Sequence, residues 1–384
     1  LLEVEELLGL DAGKWFIGAV VSENVRGCPG GGLACIIPAF ERDDGARPAE
    51  HGLAVSAGII SHTGVGGLSL GGGLGWISRK HGLTVDNMLS AEVVTADGRV
   101  VKTSKDENPD LFWAIRGGGG NFGVVTNFEF QCADIGTELY SGPIVKRIED
   151  AKEYFKFHRE FVKTLPDEMT VWTVMRHAPP LPFLPEEHHG KLVLLIPFVW
   201  LGDPAEGERI MQPVRDFSES LGDGSGMYPW VAWQSAFDGL VMHGARNYSK
   251  SHQIKEISDT FIDEVTKFAI SMPSNECEVF IPHMECAPKR VAAGETAYSH
   301  RSAPFILNIH TRWQDASDDE QCMKWARDFH EATRPYSDGV YVNFISDQED
   351  SRSREAYIPE VWERLVEAKS KWDPDNLFRM NMNI

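Results

Sequence analysis

Ser61-His62-Thr63-Gly64-Val65-Gly66-Gly67-Leu68-Ser69-Leu70-Gly71-Gly72-Gly73-Leu74-Gly75 is the first of two glycine clusters in this chain. The second is Arg116-Gly117-Gly118-Gly119-Gly120-Asn121-Phe122-Gly123-Val124-Val125-Thr126. Glycine admits positive φ and lets a ligand come close to the main chain. Successive backbone N–H groups in such a loop make a concavity for an anion. Two clusters with little positive charge in them point to a large phosphate-bearing cofactor held mainly by backbone. Either cluster alone is equally readable as turns of a β-rich protein. Neither is a Rossmann fingerprint, because no apolar strand runs into a glycine trio with an acid about 20 residues on. Neither is a P-loop, because no Gly-Lys-Ser/Thr follows.

Outward from these clusters, residues 54–60 read as a strand and 76–81 as a short helix. Residues 91–94 and 99–103 read as a hairpin around Asp97-Gly98. Residues 111–115 form a helical turn, and 124–130 alternate as a half-buried strand. Beyond residue 135 the texture changes. Residues 149–165 and 204–221 have helical periodicity, 178–185 are a proline-rich turn, and 191–201 are a strongly apolar strand. Strands then alternate with helices to about residue 332, which suits an α+β layer of helices on an antiparallel sheet. Residues 305–313 place Leu307, Ile309 and Thr311 on one face and Asn308, His310 and Arg312 on the other. Tyr341 and Asn343 share a face if 341–343 is a strand. Residues 365–372 read as a helix stopped by Asp373-Pro374. Toward the N-terminus, 1–10 read as a short helix and 15–21 as a strand, while 29–32 and 43–48 are turn material rather than strands.

The chain has 384 residues, 42% hydrophobic and 24% charged, with a formal net charge of −20. That length accommodates two domains. The acidic balance disfavours nucleic acid and anionic membranes as partners. No run of 18 apolar residues is present, so no membrane-spanning helix is expected. Six cysteines are scattered without metal spacing, which predicts neither zinc nor structural disulfides. The acidic N-terminus does not read as a signal peptide. The expected compartment is the cytoplasm, or the exterior if a leader is missing.

Taken whole, the string resembles the FAD-binding domain of the vanillyl-alcohol-oxidase (PCMH-type) flavoproteins, in the branch like berberine bridge enzyme. Thr63 to Gly75, Arg79-Lys80-His81-Gly82-Leu83 with Asp86-Asn87, and Asp110 to Thr126 carry that pattern. Tyr341-Val342-Asn343-Phe344 and Asp373 to Asn383 resemble the family's berberine-like tail. The resemblance implies an α+β protein: a PCMH-type FAD-binding domain over residues 1–135, an α+β substrate domain over 136–332 with helices on an antiparallel sheet, and a segment 333–384 returning to the first domain. It implies FAD as cofactor, held by Ser61, His62, Thr63, Gly64, Gly67, Leu68, Gly71, Gly72, Gly73, Gly75, Asp86, Asn87, Gly119, Asn121, Gly123, Val124, Val125, Tyr341, Asn343 and Asn381. Many relatives attach the flavin through a His and a Cys. The matching positions here are Glu23 and Ile60, so non-covalent FAD is expected. Residues 1–50 match the family poorly, and the first half of its FAD-binding domain reads as largely missing.

The implied activity is an FAD-dependent oxidase or dehydrogenase. It would move a hydride from a small alcohol, sugar or natural product to the flavin, with oxygen as the electron acceptor. Tyr341, His310 and Lys250 are the catalytic candidates. A phenol has a pKa near ~10, so Tyr341 serves as a base only if neighbours such as Lys250 or Arg312 lower it; ring packing is its plainer role. His310 reads equally as a hydrogen-bonded bystander, and Arg116 as a phosphate partner or a surface ion pair. Gly244 to Lys250 lies near the substrate in relatives, with Ser249 where a Trp is usual. Pro282-His283-Met284-Glu285-Cys286-Ala287 replaces a glycine-rich turn, leaving Cys286 readable as a reactive thiol or a buried inert one. Trp172, Trp200, Trp230, Trp233, Tyr248 and Tyr298 suit a flat ligand or simply a core. The alternative to a redox enzyme is a flavin-free or flavin-weak relative, acting as a non-redox cyclase or isomerase or an inactive scaffold.

Overall fold

The computed structural model describes residues 25–27, 33–38, 51–345, 354–380 and 382–384. Two sheets organise them. The smaller is built from β1 (Val25–Gly27), β2 (Leu33–Pro38), β3 (Leu53–Ala54), β4 (Met88–Val94), β5 (Val100–Ser104) and β6 (Val124–Asp134). Its order is β1-β2-β6-β4-β5, with β3 on the far end of β6. The hairpin around Asp97-Gly98 forms, with Val94 opposite Val100. Phe128 and Phe130 stack on one face at 5.5 Å. They join a core made by helix Pro109–Ile115 and, from the other end of the chain, helix Pro359–Trp372. Each helix starts with proline in its first turn, where the missing N–H is no loss.

The larger sheet contains β7 (Glu138–Arg147), β8 (Met169–Val171), β9 (Thr173–His177), β10 (Leu192–Trp200), β11 (Gly222–Asp223), β12 (Gly226–Pro229), β13 (Arg246–Ile254), β14 (Glu278–Ile281), β15 (Phe305–Trp313) and β16 (Ser337–Gly339). Its order is β11-β7-β10-β9-β14-β15-β13-β16, and its pairings are antiparallel. One face is covered by helices Ala151–Phe161, Asp259–Ala269 and Asp319–Thr333, which bury Leu307 and Ile309 of β15. The helix from Asp259 is capped by Ser258, whose hydroxyl accepts from the Phe261 N–H at 3.2 Å; such a cap satisfies one of the free donors of a first turn. The other face, with Trp172, Val174, Leu195, Phe280 and Ile306, packs on Leu74, Trp76, Ile77 and Tyr341. The sheet therefore closes over the end of the first glycine cluster.

Several expectations change. Residues 33–38, which the sequence assigns to no element between the turns read at 29–32 and 43–48, form a strand paired with β6, Leu33 opposite Cys132. The strand expected over 54–60 shrinks to Leu53–Ala54. The cluster 63–75 is not all loop, since Val65–Gly71 is a two-turn helix. Burial of Val65 and Leu70 against the sheet core outweighs the poor helix propensity of its glycines. Tyr341–Asn343 is not a strand; Val342–Phe344 is a 3-10 turn. The last helix begins at Pro359 rather than 365. Cys132 is disulfide-bonded, so the expectation of no structural disulfide fails, and with it the cysteine argument for a reducing compartment. Among the described residues no helix is long and apolar enough to cross a membrane, and no His/Cys/Asp/Glu cluster suits a metal. The readings of 1–10, 15–21 and 43–48, and the positions Glu23 and Asn381, lie outside the described residues.

Candidate active site

The two glycine clusters meet. Gly117 and Gly119 both donate their N–H to the Leu70 carbonyl at 3.0 Å. Gly67, Gly71, Gly118, Gly119, Gly120 and Asn121 then line one cavity with Val342, Asn343, Tyr357, Met380 and Met382. Its volume is about 290 Å³. No Cβ would meet an obstacle at Gly64 or Gly67, so their bare backbone faces open space. Asn121 is 1% exposed. Its amide donates to the carbonyls of Gly118 at 2.8 Å and Met382 at 3.0 Å. Its Oδ1 is buried without a partner, as is that of Asn383. A buried unsatisfied acceptor calls for a donor. An isoalloxazine edge offers an N–H between carbonyls, so this glycine-walled cavity fits a flavin.

Asn343 is held across the cradle. Its Nδ2 donates to the Leu68 carbonyl at 3.1 Å and to the Tyr341 hydroxyl at 2.9 Å. Tyr341, 1% exposed, also accepts from the Gly73 N–H at 2.9 Å. Burial, with the Tyr298 phenol near it, pushes the Tyr341 hydroxyl well above its ordinary range despite these two donors. The condition for Tyr341 to act as a base is not met in this arrangement. It is a hydrogen-bonding ring packed edge-on to Tyr298 and Phe344.

The other expected cofactor residues divide. Ser61 bonds Asp238 through both its N–H and its hydroxyl, and His62 packs against His243 with centroids 4.9 Å apart. Thr63 lies against Gly58. Gly72 has φ +134 and a Cβ there would strike Tyr298 and Tyr341; Gly73 is pressed on Thr84 and Gly75 on the Ala57 carbonyl. These three glycines let the chain pass under the large sheet. Asp86 forms a two-point ion pair with Arg301, 2.6 Å at its shorter contact, and accepts from the Leu83 N–H at 2.9 Å. Asn87 donates to the His81 and Leu83 carbonyls at 2.8 Å. Both brace the loop rather than face the cradle. Gly123 packs on Val93 and Val94, and Val125 belongs to the small-sheet core, with Val124 opposite Val94. Arg116 lies 4.3 Å over the Phe112 ring and donates to the Glu295 carbonyl at 3.2 Å.

Lys250 is not brought to the cradle. Tyr248, Lys250, His252 and Ile254 pair with Thr311, Ile309, Leu307 and Phe305, the helix-covered side of the sheet. Its Nζ lies 5.3 Å over the Tyr248 ring. The period of two put it on the wrong face for contact with Tyr341. Its neighbour Ser251, on the opposite face, instead donates to the Tyr341 carbonyl at 3.1 Å. His310 is on that same face. Its Nδ1 is 3.3 Å from Glu278 and its Nε2 3.2 Å from Asn247. Glu278 also accepts from Arg176 at 2.6 Å. Burial opposes its ionisation, but Arg176 and then His310 outweigh it and hold the carboxyl at about 2. Cys286 is half-buried at φ +73, and burial pushes its thiol up to about 11, which makes it the inert cysteine.

Arg176 and Glu278 are the residues that sequence reading missed. They line a second cavity with Ile60, Trp76, Trp172, Phe237 and Phe280. The one legible signal was an acid in register with aromatic positions: Glu278 and Phe280 are two apart on β14. Phe280 packs edge-on to Phe344 at 5.7 Å, so the turn bearing Tyr341 and Asn343 separates the two cavities.

Comparison with known proteins agrees with this geometry. A model of the FAD binding domain matches residues 44–104, and one described as berberine and berberine like matches 340–384. The chain is 30% identical over 350 residues to (R)-6-hydroxynicotine oxidase of Paenarthrobacter nicotinovorans, covering 88% of this chain and 73% of that protein. It is 28% identical to an FAD-linked oxidoreductase of Dictyostelium discoideum, covering 88% and 71%. The crystal structure of 6-hydroxy-D-nicotine oxidase from Arthrobacter nicotinovorans superposes with a TM-score of 0.79 at 25% identity, covering 94% of this chain and 80% of that one.

Proposed function

Because this chain belongs to the FAD-linked oxidoreductases that carry a berberine-like C-terminal segment, we propose that its converging glycine clusters hold FAD without a covalent bond, for oxidation of a small alcohol, sugar or natural product with oxygen as electron acceptor. The chain is an FAD-dependent oxidoreductase. Its mode of flavin attachment, its substrate and its catalytic residues are the proposal. The observation that carries it is the unpartnered, buried Oδ1 of Asn121 where Gly67, Gly71 and Gly118–Gly120 converge.

Bound FAD supplies the two-electron acceptor, which no side chain offers. Backbone of Gly67, Gly71 and Gly119 would lie against it, with Asn121 and Asn343 meeting its polar edge. Tyr341 keeps its proton and, with Asn343, orients that edge. Ile60, a wall of the neighbouring cavity, has no nucleophile for a covalent link. A substrate proton would pass to the His310 imidazole, whose Nδ1 lies 3.3 Å from the ionised Glu278 in the wall of that cavity. Lys250, on the far face, has no part in this reading.

The visible absorption spectrum of the purified protein, before and after acid precipitation, tests the proposal. Flavin bands that leave with the supernatant are expected. Colour retained in the pellet would overturn the non-covalent reading. Protein that stays colourless and takes up no added FAD would favour the flavin-free alternative.

A further inference from the structure

Tyr298, in the connection leading into β15, touches both glycine clusters and Tyr341. Its N–H donates to the Arg116 carbonyl at 3.1 Å, at the head of the second cluster. A Cβ on Gly117 would collide with that nitrogen. Its ring lies on Gly72 of the first cluster, where a Cβ would come within 2.8 Å of it. The same ring meets Tyr341 edge-on, with centroids 6.0 Å apart and an interplanar angle of 71°. Its hydroxyl accepts from the Gln253 amide of β13 at 3.0 Å. Arg301 adds a further hold, its guanidinium carbon 5.2 Å from the ring centroid; a cation over an aromatic face is attracted by the ring quadrupole. Arg301 is itself fixed. It forks onto both oxygens of Asp86, at 2.6 and 3.1 Å, and donates to the Thr296 hydroxyl at 2.7 Å and the Pro288 carbonyl at 3.0 Å. A two-point guanidinium–carboxylate pair sets orientation as well as distance.

Tyr341 needs such a hold. Ser251 pins its backbone, donating to the Tyr341 carbonyl and accepting from the Tyr341 N–H, each at 3.1 Å. That contact leaves the ring its side-chain torsions. Tyr298 and Phe344 close on the ring edge-on, a geometry that aromatic pairs favour. Held there, the Tyr341 hydroxyl meets the Gly73 N–H and the Asn343 amide at 2.9 Å each. Asn343 gives its second amide hydrogen to the Leu68 carbonyl. Its Oδ1, packed where a Gly71 Cβ would stand, is the atom left to accept from a ligand. We propose that Tyr298 is a positioning residue for the cradle: anchored by Arg301 and Gln253, it holds the Tyr341 ring against Gly72 and so sets where the Asn343 Oδ1 meets the N–H edge of the flavin. The occupant is that of the oxidoreductase reading, on which this inference rests. Tyr298 is not among the described walls of the glycine cavity, so it acts through Tyr341 rather than on the flavin directly.

Hydrogen–deuterium exchange at the Gly73 amide in the FAD-free full chain, with the visible spectrum and FAD titration of the loaded chain, tests the proposal. Tyr298→Leu removes the ring contact and should speed exchange at Gly73 about tenfold, as expected for one lost hydrogen bond. Exchange across the helix Asp259–Ala269 should stay as in the wild type. The loaded variant should bind FAD about tenfold more weakly, with shifted visible bands. Tyr298→Phe keeps the ring and should stay within about threefold of wild-type exchange, with unshifted bands. Arg301→Lys keeps the charge but not the fork, and should speed Gly73 exchange about threefold. Unchanged Gly73 exchange or unchanged flavin bands in Tyr298→Leu overturn the proposal, as does exchange raised equally at Gly73 and across Asp259–Ala269. Should Tyr298→Leu fail to fold, wild-type Gly73 exchange in Arg301→Lys overturns it instead. A wild-type chain that protects Gly73 but takes up no FAD sinks the FAD reading alone. FAD bound equally tightly and with the same bands by wild type and Tyr298→Leu sinks the positioning role alone.

Discussion

The large sheet draws the core on its helix side from residues 140–329, whereas the small-sheet core under the glycine cradle is assembled from residues 65–130, 297 and 340–372. The first is a layer of neighbours in sequence, sealed by its own helices. The second closes only when the last helix arrives. Lys369 shows how: its Nζ donates to the Asn121 carbonyl at 2.9 Å, to Asp373 at 2.7 Å and to the Phe378 carbonyl at 2.8 Å. One buried cation thus ties the asparagine of the second glycine cluster to the tail. Apolar area stabilises the sheet in many small shares, while the cradle depends on a few buried polar contacts that are expensive to break.

The strongest way to break this contrast is Lys369→Met. Asp373 would be left buried without its cation, at a cost of about 3–5 kcal/mol. Urea unfolding should show early loss of FAD binding while the far-ultraviolet signal of the large sheet persists. A single transition shifted as a whole would mean the two regions are one cooperative unit. Next comes Gly117→Ala. Gly117 has φ +127 and its Cβ would land on the Tyr298 backbone, so about 2–4 kcal/mol is expected from strain and overpacking. Gly119→Ala, at φ +71 with only an ordinary 3.6 Å contact to the Asn121 amide nitrogen, should cost only about 1–2 kcal/mol. Equal effects would show that left-handed backbone, not the approach of Tyr298, decides.

A pH series sharpens the comparison from the other side. Burial lowers His283 from 6.5 to about 4, and His158 to about 3. A folded-state pKa below the unfolded one favours the neutral imidazole in the fold. That contribution is complete above pH 6.5 and is lost as pH falls toward 4 and 3. Thermal stability should therefore fall between pH 6.5 and 4, and His283→Gln should flatten that slope. A slope unchanged in the variant would assign the acid sensitivity elsewhere. The smallest effect is reserved for Asn121→Ala. It should weaken FAD about tenfold, ~1.4 kcal/mol for one charge-neutral hydrogen bond. Unchanged FAD affinity, read by absorbance titration, would remove Asn121 from the cradle's chemistry.

Reading along the chain found the cradle because its demands are local. Gly67, Gly119, Asn121 and Asn343 are where a backbone-walled ligand site needs them, and their spacing survives without knowing the fold. It also found the faces of β15, since a period of two is set by each residue's neighbours. It misjudged Lys250 because a strand's alternation says which residues share a face but not which face meets the flavin side. It did not show how Asp86 and Asn87 are held, since their partners Arg301, His81 and Leu83 include one 215 residues away. Arg176 and Glu278 were invisible for the same reason: 102 residues apart, they become one neutral pair only when β9 and β14 register.

Sequence alone determined the family, the cofactor, the α+β class and the glycine clusters, because each is written in short-range pattern and residue type. Tertiary structure decided which glycines face open space and which are pressed under the large sheet, that Tyr341 is a buried neutral phenol, and that Arg176 and Glu278 form one neutral pair in the wall of the second cavity. Those properties depend on burial and on long-range pairing of charges. Neither exists until distant strands and the returning tail pack.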